Sequence, residues 1–159
     1  MKTLIAFTTK YGCTEKCVSK LAQGLNGDVE TVNLKTQKSP DIQDFDKIIL
    51  GGSIYAGRIQ KELQNFTSAN LEALQDKKIG LFVCGMQEGE EALQELNAAF
   101  PESLRKTAVA KEFFGGEFIF SKMKFLDKAI AKKVSGMEND TSNINQDKIE
   151  SFISNMNNI

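Results

Sequence analysis

The chain has 159 residues, with 20 Lys and Arg against 21 Asp and Glu for a net charge of −1, and it contains no His. Its length predicts one domain with a substantial core, and 41% hydrophobic and 26% charged residues are typical of a soluble globular protein. The absence of His excludes Ser-His-Asp and Cys-His catalysis and every metal site that needs an imidazole ligand. Chemistry must therefore come from carboxylates, Lys, Cys, Tyr, backbone groups or a cofactor.

The net charge, the lack of long apolar runs and the cysteine content limit the partners and the location that we expect for this protein. A net charge of −1 disfavours nucleic acid, because a phosphate backbone favours a basic face. No apolar run approaches the roughly 20 residues of a membrane span, and the first run is too short for a secretory signal. The three Cys are an odd number without disulfide-framework spacing, and without His they form a poor zinc set. We therefore expect a cytoplasmic protein with no nucleic-acid partner and no metal.

Short β-rich runs alternate with segments of helical periodicity. In chain order we predict a strand at 3–8, a helix at 17–25, strands at 29–34 and 47–52, a helix at 63–74, a strand at 79–85, helices at 90–100 and after Pro101, a strand within 108–114 and a helix at 145–156. This alternation predicts βαβ units, right-handed crossovers and a parallel sheet. Because no repeat or linker divides the chain, we expect residues 1–159 to form a single domain.

Ligands of an open parallel sheet bind beyond the carboxyl ends of the strands, at the point where the strand order reverses. Here the loops after the first, third and fourth predicted strands are residues 9–14, 53–58 and 86–91. These three loops are therefore the candidate ligand-binding segments.

The loop at 9–14 combines a helix N-terminus with side-chain donors. Backbone N–H groups and the helix dipole favour an anion there, and Thr9, Tyr11, Thr14 and Lys10 add three hydroxyls and an ammonium. This donor set suits a phosphate monoester. Neither G-x-G-x-x-G nor a glycine-rich loop ending in G-K-[ST] is present, which disfavours dinucleotide binding and Walker-type hydrolysis. A plain helix cap by Thr14, with nothing bound, is the alternative.

Two loops together carry a family resemblance. Thr9-x-Tyr11-Gly12-x-Thr14 resembles the FMN phosphate loop of flavodoxins, and the segment from Gly51 to Gly57, GGSIYAG, resembles their flavin loop. The resemblance covers nearly the whole chain and is strongest to the flavodoxin-like branch of menaquinone-dependent protoporphyrinogen oxidases. It implies an α/β, doubly wound, five-stranded parallel sheet of order 2-1-3-4-5, with helices on both faces, and FMN as cofactor.

The resemblance also implies where FMN binds. The phosphate residues are Thr9, Lys10, Tyr11, Gly12, Cys13 and Thr14. Ser53, Ile54, Tyr55, Ala56 and Gly57 are placed on one side of the isoalloxazine, and Gly85, Met86 and Gln87 near its other side. No side chain receives a catalytic role, because the flavin carries the redox chemistry. Arg58 is a candidate to tune the flavin or contact a substrate carboxylate, the alternative being that it faces solvent.

The near-neutral total charge conceals a basic segment. Residues 105–133 carry eight basic and three acidic side chains, whereas the segments on either side each have a net charge of −3. Apolar residues recur at three- and four-residue steps from Ile119 to Val134, which predicts an amphipathic basic helix at 119–134 within an insertion at about 117–137. Such a helix can contact an anionic membrane or a porphyrin propionate, or it can pack on the core with a solvated lysine face. In the related oxidases an insertion here distinguishes them from carriers.

The three cysteines receive separate interpretations. Cys13 is expected to be a small residue beside the phosphate, with a redox-sensing thiol as the alternative. Cys17 and Cys84 are expected in the core.

Two functions remain open. The first is an FMN-dependent oxidoreductase that oxidises protoporphyrinogen with a quinone acceptor. The second is a flavodoxin-type electron carrier between redox proteins, with no small-molecule substrate. The expected partners are therefore a redox protein or a quinone, with a porphyrin as candidate substrate. A phosphorelay receiver is excluded, because Thr8-Thr9 and Gly51-Gly52 stand where it needs acidic residues.

Overall fold

The computed structural model describes residues 1–119, 127–129 and 140–159. In this part of the chain, a parallel sheet has the order β2-β1-β3-β5-β6. Its strands are β1 (Lys2–Phe7), β2 (Asp28–Asn33), β3 (Lys47–Tyr55), β5 (Lys78–Cys84) and β6 (Ala110–Phe113). Numbered as parallel strands alone, this is the predicted order 2-1-3-4-5, so the predicted doubly wound α/β fold is confirmed.

Two short antiparallel pairings were not predicted. Strand β4 (Arg58–Ile59) folds back on the end of β3, with Tyr55 opposite Arg58. The two residues between them, Ala56 and Gly57, have φ of 49° and 76°, as a tight hairpin turn of the I′ type requires. Farther along, β7 (Glu117–Phe118) pairs with β8 (Thr141–Ser142) in a separate two-stranded sheet.

The helices follow the predicted order with one change. They are α1 (Cys13–Gly24), α2 (Lys61–Ala69), α3 (Leu71–Leu74), α4 (Gly89–Ala99), α5 (Glu102–Thr107) and α6 (Gln146–Asn157), with a 3-10 turn at Ile42–Asp44. The helix predicted at 63–74 is divided at Asn70, whose side-chain amide donates to the Phe66 carbonyl.

Most of the predicted basic helix at 119–134 lies outside the described residues. Residues 127–129 are described and are helical. In the described ranges, no helix combines the length and apolarity needed to cross a membrane.

Helices cover both faces of the sheet, which explains the nearly continuous apolar runs of the central strands. Alternate residues of a strand point to opposite faces. Leu4, Ile48 and Leu81 pack in the cluster that includes residues of α2 to α5, whereas Ile5, Ile49 and Phe82 pack in the cluster of α1 and α6. The Phe82 and Phe114 rings stack with centroids 4.8 Å apart. Because both faces of the sheet are packed against helices, the sheet holds the carboxyl ends of β1, β3 and β5 together at one edge.

Candidate functional site

A cavity of about 320 Å³ lies at the carboxyl ends of β1, β3 and β5. It is lined by Thr9, Lys10, Tyr11, Cys13, Ser53, Ile54, Tyr55, Ala56, Gly57, Cys84, Gly85, Met86, Gln87, Glu95, Gly116, Glu117 and Asp127. All three predicted loops therefore meet at one cavity. Of the predicted binding residues, only Gly12 and Thr14 are outside this lining set, and both belong to the turn that starts α1.

The start of α1 has unused hydrogen-bonding capacity. Its N-cap is Gly12, in the left-handed region at φ 93°, with no side-chain cap, and the Gly12 N–H donates to Thr9 Oγ1 at 3.0 Å. Thr14 is fully buried, and its hydroxyl, like that of Tyr11, has no hydrogen-bond partner within the described residues. Thr14 thus does not cap the N-terminus of α1, which was the alternative interpretation. A buried unpaired hydroxyl is costly, so these groups suit a polar ligand.

Gln60 ties the end of β3 to β1. Its Oε1 accepts hydrogen bonds from Thr8 Oγ1 at 2.8 Å and from the Ser53 N–H at 3.2 Å, and its Nε2 donates to Ser53 Oγ at 2.8 Å. These bonds fix Ser53, the first of the residues predicted to lie beside the isoalloxazine. Gln60 was not predicted to be a site residue, because its position depends on the unpredicted β3–β4 hairpin that reverses the chain.

Lys10, Tyr55 and Asp127 form a connected group in the cavity wall. The Tyr55 hydroxyl donates to Asp127 Oδ1, and Lys10 Nζ lies 3.5 Å from Asp127 Oδ2. The same ammonium lies 3.2 Å from the centre of the Tyr55 ring, a cation–π contact. Asp127 is only 8% exposed and comes from the segment predicted to be an insertion. Sequence periodicity missed it because an acidic residue in a lysine-rich segment carries no signal.

Glu95 of α4 is a third site residue that was not predicted from the sequence. Its Oε2 is buried and has no hydrogen-bond partner in the described parts of the chain. Burial raises the pKa of this carboxyl, and the charge of Glu91 raises it further. Glu117, which also lines the cavity, pairs with Lys16 at 2.6 Å. Arg58 is exposed and is not among the lining residues, so its proposed contact with flavin or substrate stays a prediction.

The three cysteines, expected to act separately, meet beside this cavity. Their sulfurs all lie within 4.8 Å of one another, with the Cys84 thiol 3.8 Å from Cys17 Sγ. Hydrogen bonds from Cys17 and Cys84 lower the pKa of Cys13 to about 4. The shared hydrogen bond to Cys13 raises the pKa of Cys17 to about 12, and the pKa of the buried Cys84 is also raised. Cys13 and Cys84 both line the cavity.

The loop arrangement can be compared with known proteins. The family model described as a flavodoxin domain matches residues 4–145. The chain belongs to the flavodoxin domain family. A curated relative from Escherichia coli strain K12, named protoporphyrinogen IX dehydrogenase [quinone], is 24% identical over 154 residues, which cover 89% of this chain and 84% of the relative.

Solved flavodoxin structures share the fold. The flavodoxin of Streptococcus pneumoniae TIGR4 aligns with a TM-score of 0.60 and 18% identity, over 98% of this chain and 97% of that one. Oxidised flavodoxin 1 of Bacillus cereus aligns with a TM-score of 0.59 and 16% identity, over 97% and 93%. These similarities support the doubly wound architecture.

FMN is the cofactor of the flavodoxin family, so the cofactor prediction is confirmed. The residues present fit it. The uncapped start of α1 and the unpartnered hydroxyls of Tyr11 and Thr14 supply donors suited to a phosphate. Ile54, Tyr55 and Met86 line the cavity with apolar and aromatic surface suited to a flat ring system. The residue-by-residue binding assignments stay predictions.

Proposed function

We propose that this protein is an FMN-dependent oxidoreductase that oxidises protoporphyrinogen and passes the electrons to a quinone. Family membership establishes the coarser statement that it is an electron-transfer flavoprotein of the flavodoxin type. The finer activity is supported by the curated relative, whose name states it and whose similarity extends along 89% of this chain.

The position of Asp127 carries the proposal. A carrier exchanges electrons with partner proteins and needs no wall for a small substrate. Here the almost buried carboxylate of Asp127, a residue of the predicted insertion, reaches Tyr55 and Lys10 and lines the cavity. A carboxylate placed in this way favours a protein that encloses a small molecule beside its cofactor.

Each proposed role follows from the chemistry of the side chain. FMN, when bound, supplies the electron-transfer chemistry. The 9–14 loop binds the phosphate through N–H and hydroxyl donors, and Tyr55 offers an aromatic face. Lys10 places a positive charge in the wall, where it favours an anionic group such as a porphyrin propionate. Asp127 holds the Lys10 ammonium and the Tyr55 hydroxyl in position.

An electron-acceptor screen of the FMN-loaded protein tests the proposal. Protoporphyrinogen is supplied under anaerobic conditions with menaquinone, ubiquinone or a redox protein as acceptor, and protoporphyrin fluorescence reports turnover. We expect turnover with a quinone, and a loss of at least about tenfold, equivalent to 1.4 kcal/mol, in Asp127→Asn. Asp28→Asn, an exposed change on β2, is the matched control and should retain turnover.

Two results would point elsewhere. Rapid exchange only with redox proteins, and no protoporphyrin with any quinone, would identify an electron carrier. A colourless protein that shows no heat or fluorescence change on titration with FMN would contradict the flavoprotein assignment itself.

A quinone acceptor is lipid-soluble, so contact with an anionic membrane forms part of the proposal. The predicted basic helix at 119–134 is the candidate contact surface. We expect the double charge reversal Lys128→Glu and Lys132→Glu to reduce co-sedimentation with anionic vesicles while leaving FMN binding intact. Equal sedimentation of the variant and the natural protein would remove this helix from the proposal.

A further inference from the structure

The thiol groups of Cys13, Cys17 and Cys84 have no part in the function proposed above. Two of these residues are one helical turn apart on α1, and the third ends β5, so the fold brings together sulfurs separated by 67 residues or more. All three are buried. They are also the only cysteines in the sequence.

We propose that Cys13, Cys17 and Cys84 form a binding site for one soft, thiophilic cation, Cu(I), coordinated by the three sulfurs. The site is distinct from the FMN phosphate loop in its ligand atoms, and the proposal does not depend on the substrate of the flavoprotein. Each coordinating thiol still protonated transfers its proton to solvent as the copper–sulfur bond forms, and no change of oxidation state is involved.

The sulfur separations match such coordination. Metal–sulfur bonds of about 2.3 Å in a trigonal plane place the sulfurs roughly 4 Å apart. Here one pair is separated by 3.8 Å and the three sulfurs all lie within 4.8 Å of one another. Small side-chain rotations, rather than backbone movement, are therefore enough to close the triangle around an ion.

The ligand set favours Cu(I) over Zn(II). Thiolate ligands select soft ions, and structural zinc takes four ligands, commonly completed by His or Cys. The chain has neither a His nor a fourth Cys. Within the described ranges, no carboxylate joins these three thiols in a group that could hold a metal ion. Three sulfurs, with no fourth ligand from the described residues, suit a three-coordinate ion.

The surroundings supply access and positive charge. Cys13 and Cys84 line the cavity, which gives an ion a route to the sulfurs. The N-terminus of α1 begins at Cys13, and the ammonium groups of Lys16 and Lys20 act on Cys13 and Cys17 in the direction that favours thiolates. These charges offset part of the cost of burying an anionic complex.

Copper titration of the reduced full-length protein under anaerobic conditions tests the site. We expect one Cu(I) per chain to resist removal by the chelator bicinchoninate, and X-ray absorption to show three sulfur neighbours. Cys17→Ser and Cys84→Ser should each weaken binding by at least about tenfold, because even the loss of an outer partner of a metal ligand costs that much. Thermal melts of both variants check folding, and Cys17→Ala and Cys84→Ala replace any that unfolds.

Met156→Leu is the matched control. Met156 is a buried sulfur residue of the same hydrophobic cluster, and its loss should leave copper affinity unchanged. Less than one tightly held Cu(I) per chain, two sulfur neighbours instead of three, or an affinity that survives the loss of Cys84 in a folded variant would each overturn the proposal.

Discussion

Thr3 and Thr14 are both fully buried threonines whose hydroxyls lack a hydrogen-bond partner within the described residues. Their surroundings differ in one respect. Thr14 belongs to the first turn of α1, beside the cavity, whereas Thr3 lies near the start of β1, at the opposite edge of the sheet. Burying an unpaired hydroxyl is therefore useful for ligand binding only at Thr14, where a phosphate would accept a hydrogen bond from it.

Thr14→Val removes this hydroxyl while keeping the shape of the side chain. We expect FMN affinity to fall roughly tenfold, about 1.4 kcal/mol, because one charge-assisted hydrogen bond is lost. Fluorescence titration measures the affinity, and Thr3→Val is the control that should leave it unchanged. Without FMN, both variants should be at least as stable as the natural protein, since each loses a buried unpaired hydroxyl. Equal affinity losses in the two variants would mean that the Thr14 hydroxyl does not reach the phosphate.

Glu95 makes the stability of the protein depend on pH. The folded state holds the Glu95 proton more tightly than the unfolded chain does, because the pKa is raised above 4.5. The stability that this proton contributes is present below pH 4.5 and is lost as the pH rises through the higher pKa of the folded state.

Glu95→Gln keeps the side chain neutral at every pH. We expect its melting temperature to exceed that of the natural protein by a few degrees at pH 7, and the difference to vanish near pH 4. Calorimetry at both pH values gives the comparison, with Glu150→Gln as an exposed control on α6. A difference that did not change with pH would exclude the Glu95 carboxyl as its source.

Among the elements, the approach of β7 to the end of β5 shapes the cavity. The loop before β7 brings Gly116 so close to Gly85 that a Cβ on Gly116 would lie 2.8 Å from the Gly85 carbonyl carbon. The backbone of Gly85 cannot move aside as a flexible side chain can. The cavity wall therefore depends on glycine at position 116.

Gly116→Ala should lower the free energy of unfolding by about 1–3 kcal/mol, the usual cost of inserting a methyl group into a packed site. Because Gly85 lines the cavity, FMN affinity should fall as well. Gly24→Ala is the matched control, since the three atoms nearest to its Cβ all belong to the flexible Ile153 side chain and alanine is favoured in a helix. Denaturant unfolding and FMN titration of both variants measure the effects. Two equally mild variants would show that the backbone at Gly85 can yield.

The helices and strands predicted from the sequence agree with the structure where hydrophobic periodicity marks them. Buried strands such as β1 and β5 are marked by apolar runs, and helices such as α1 by three- and four-residue spacing. Contacts between residues that only the folded chain brings together leave no such periodic pattern in the sequence. Gln60 reaches Ser53 only because a two-residue turn reverses β3, and the three cysteines meet only because α1 packs on the end of β5.

Over the whole molecule, a net charge of −1 conceals an uneven field. Acidic residues predominate up to residue 104 and after residue 133, and basic residues between them. The contact of Lys10 with Asp127 joins the acidic first segment to the basic one at the cavity wall. Among the described residues, Lys10 is the cation that lines the cavity, whereas Arg58, to which the sequence pointed, is exposed and is not a lining residue.

Lys10→Gln removes that positive charge from the wall, so we expect the midpoint potential of bound flavin to become more negative by tens of millivolts. Arg58→Gln removes an equal charge at an exposed position and should shift the potential much less. Both potentials are measured by spectroscopic titration against reference dyes at low and high ionic strength. Salt should reduce the Arg58 effect more than the Lys10 effect, since screening acts mainly on exposed charges. A larger shift in Arg58→Gln than in Lys10→Gln would reverse this assignment and place the guanidinium beside the flavin.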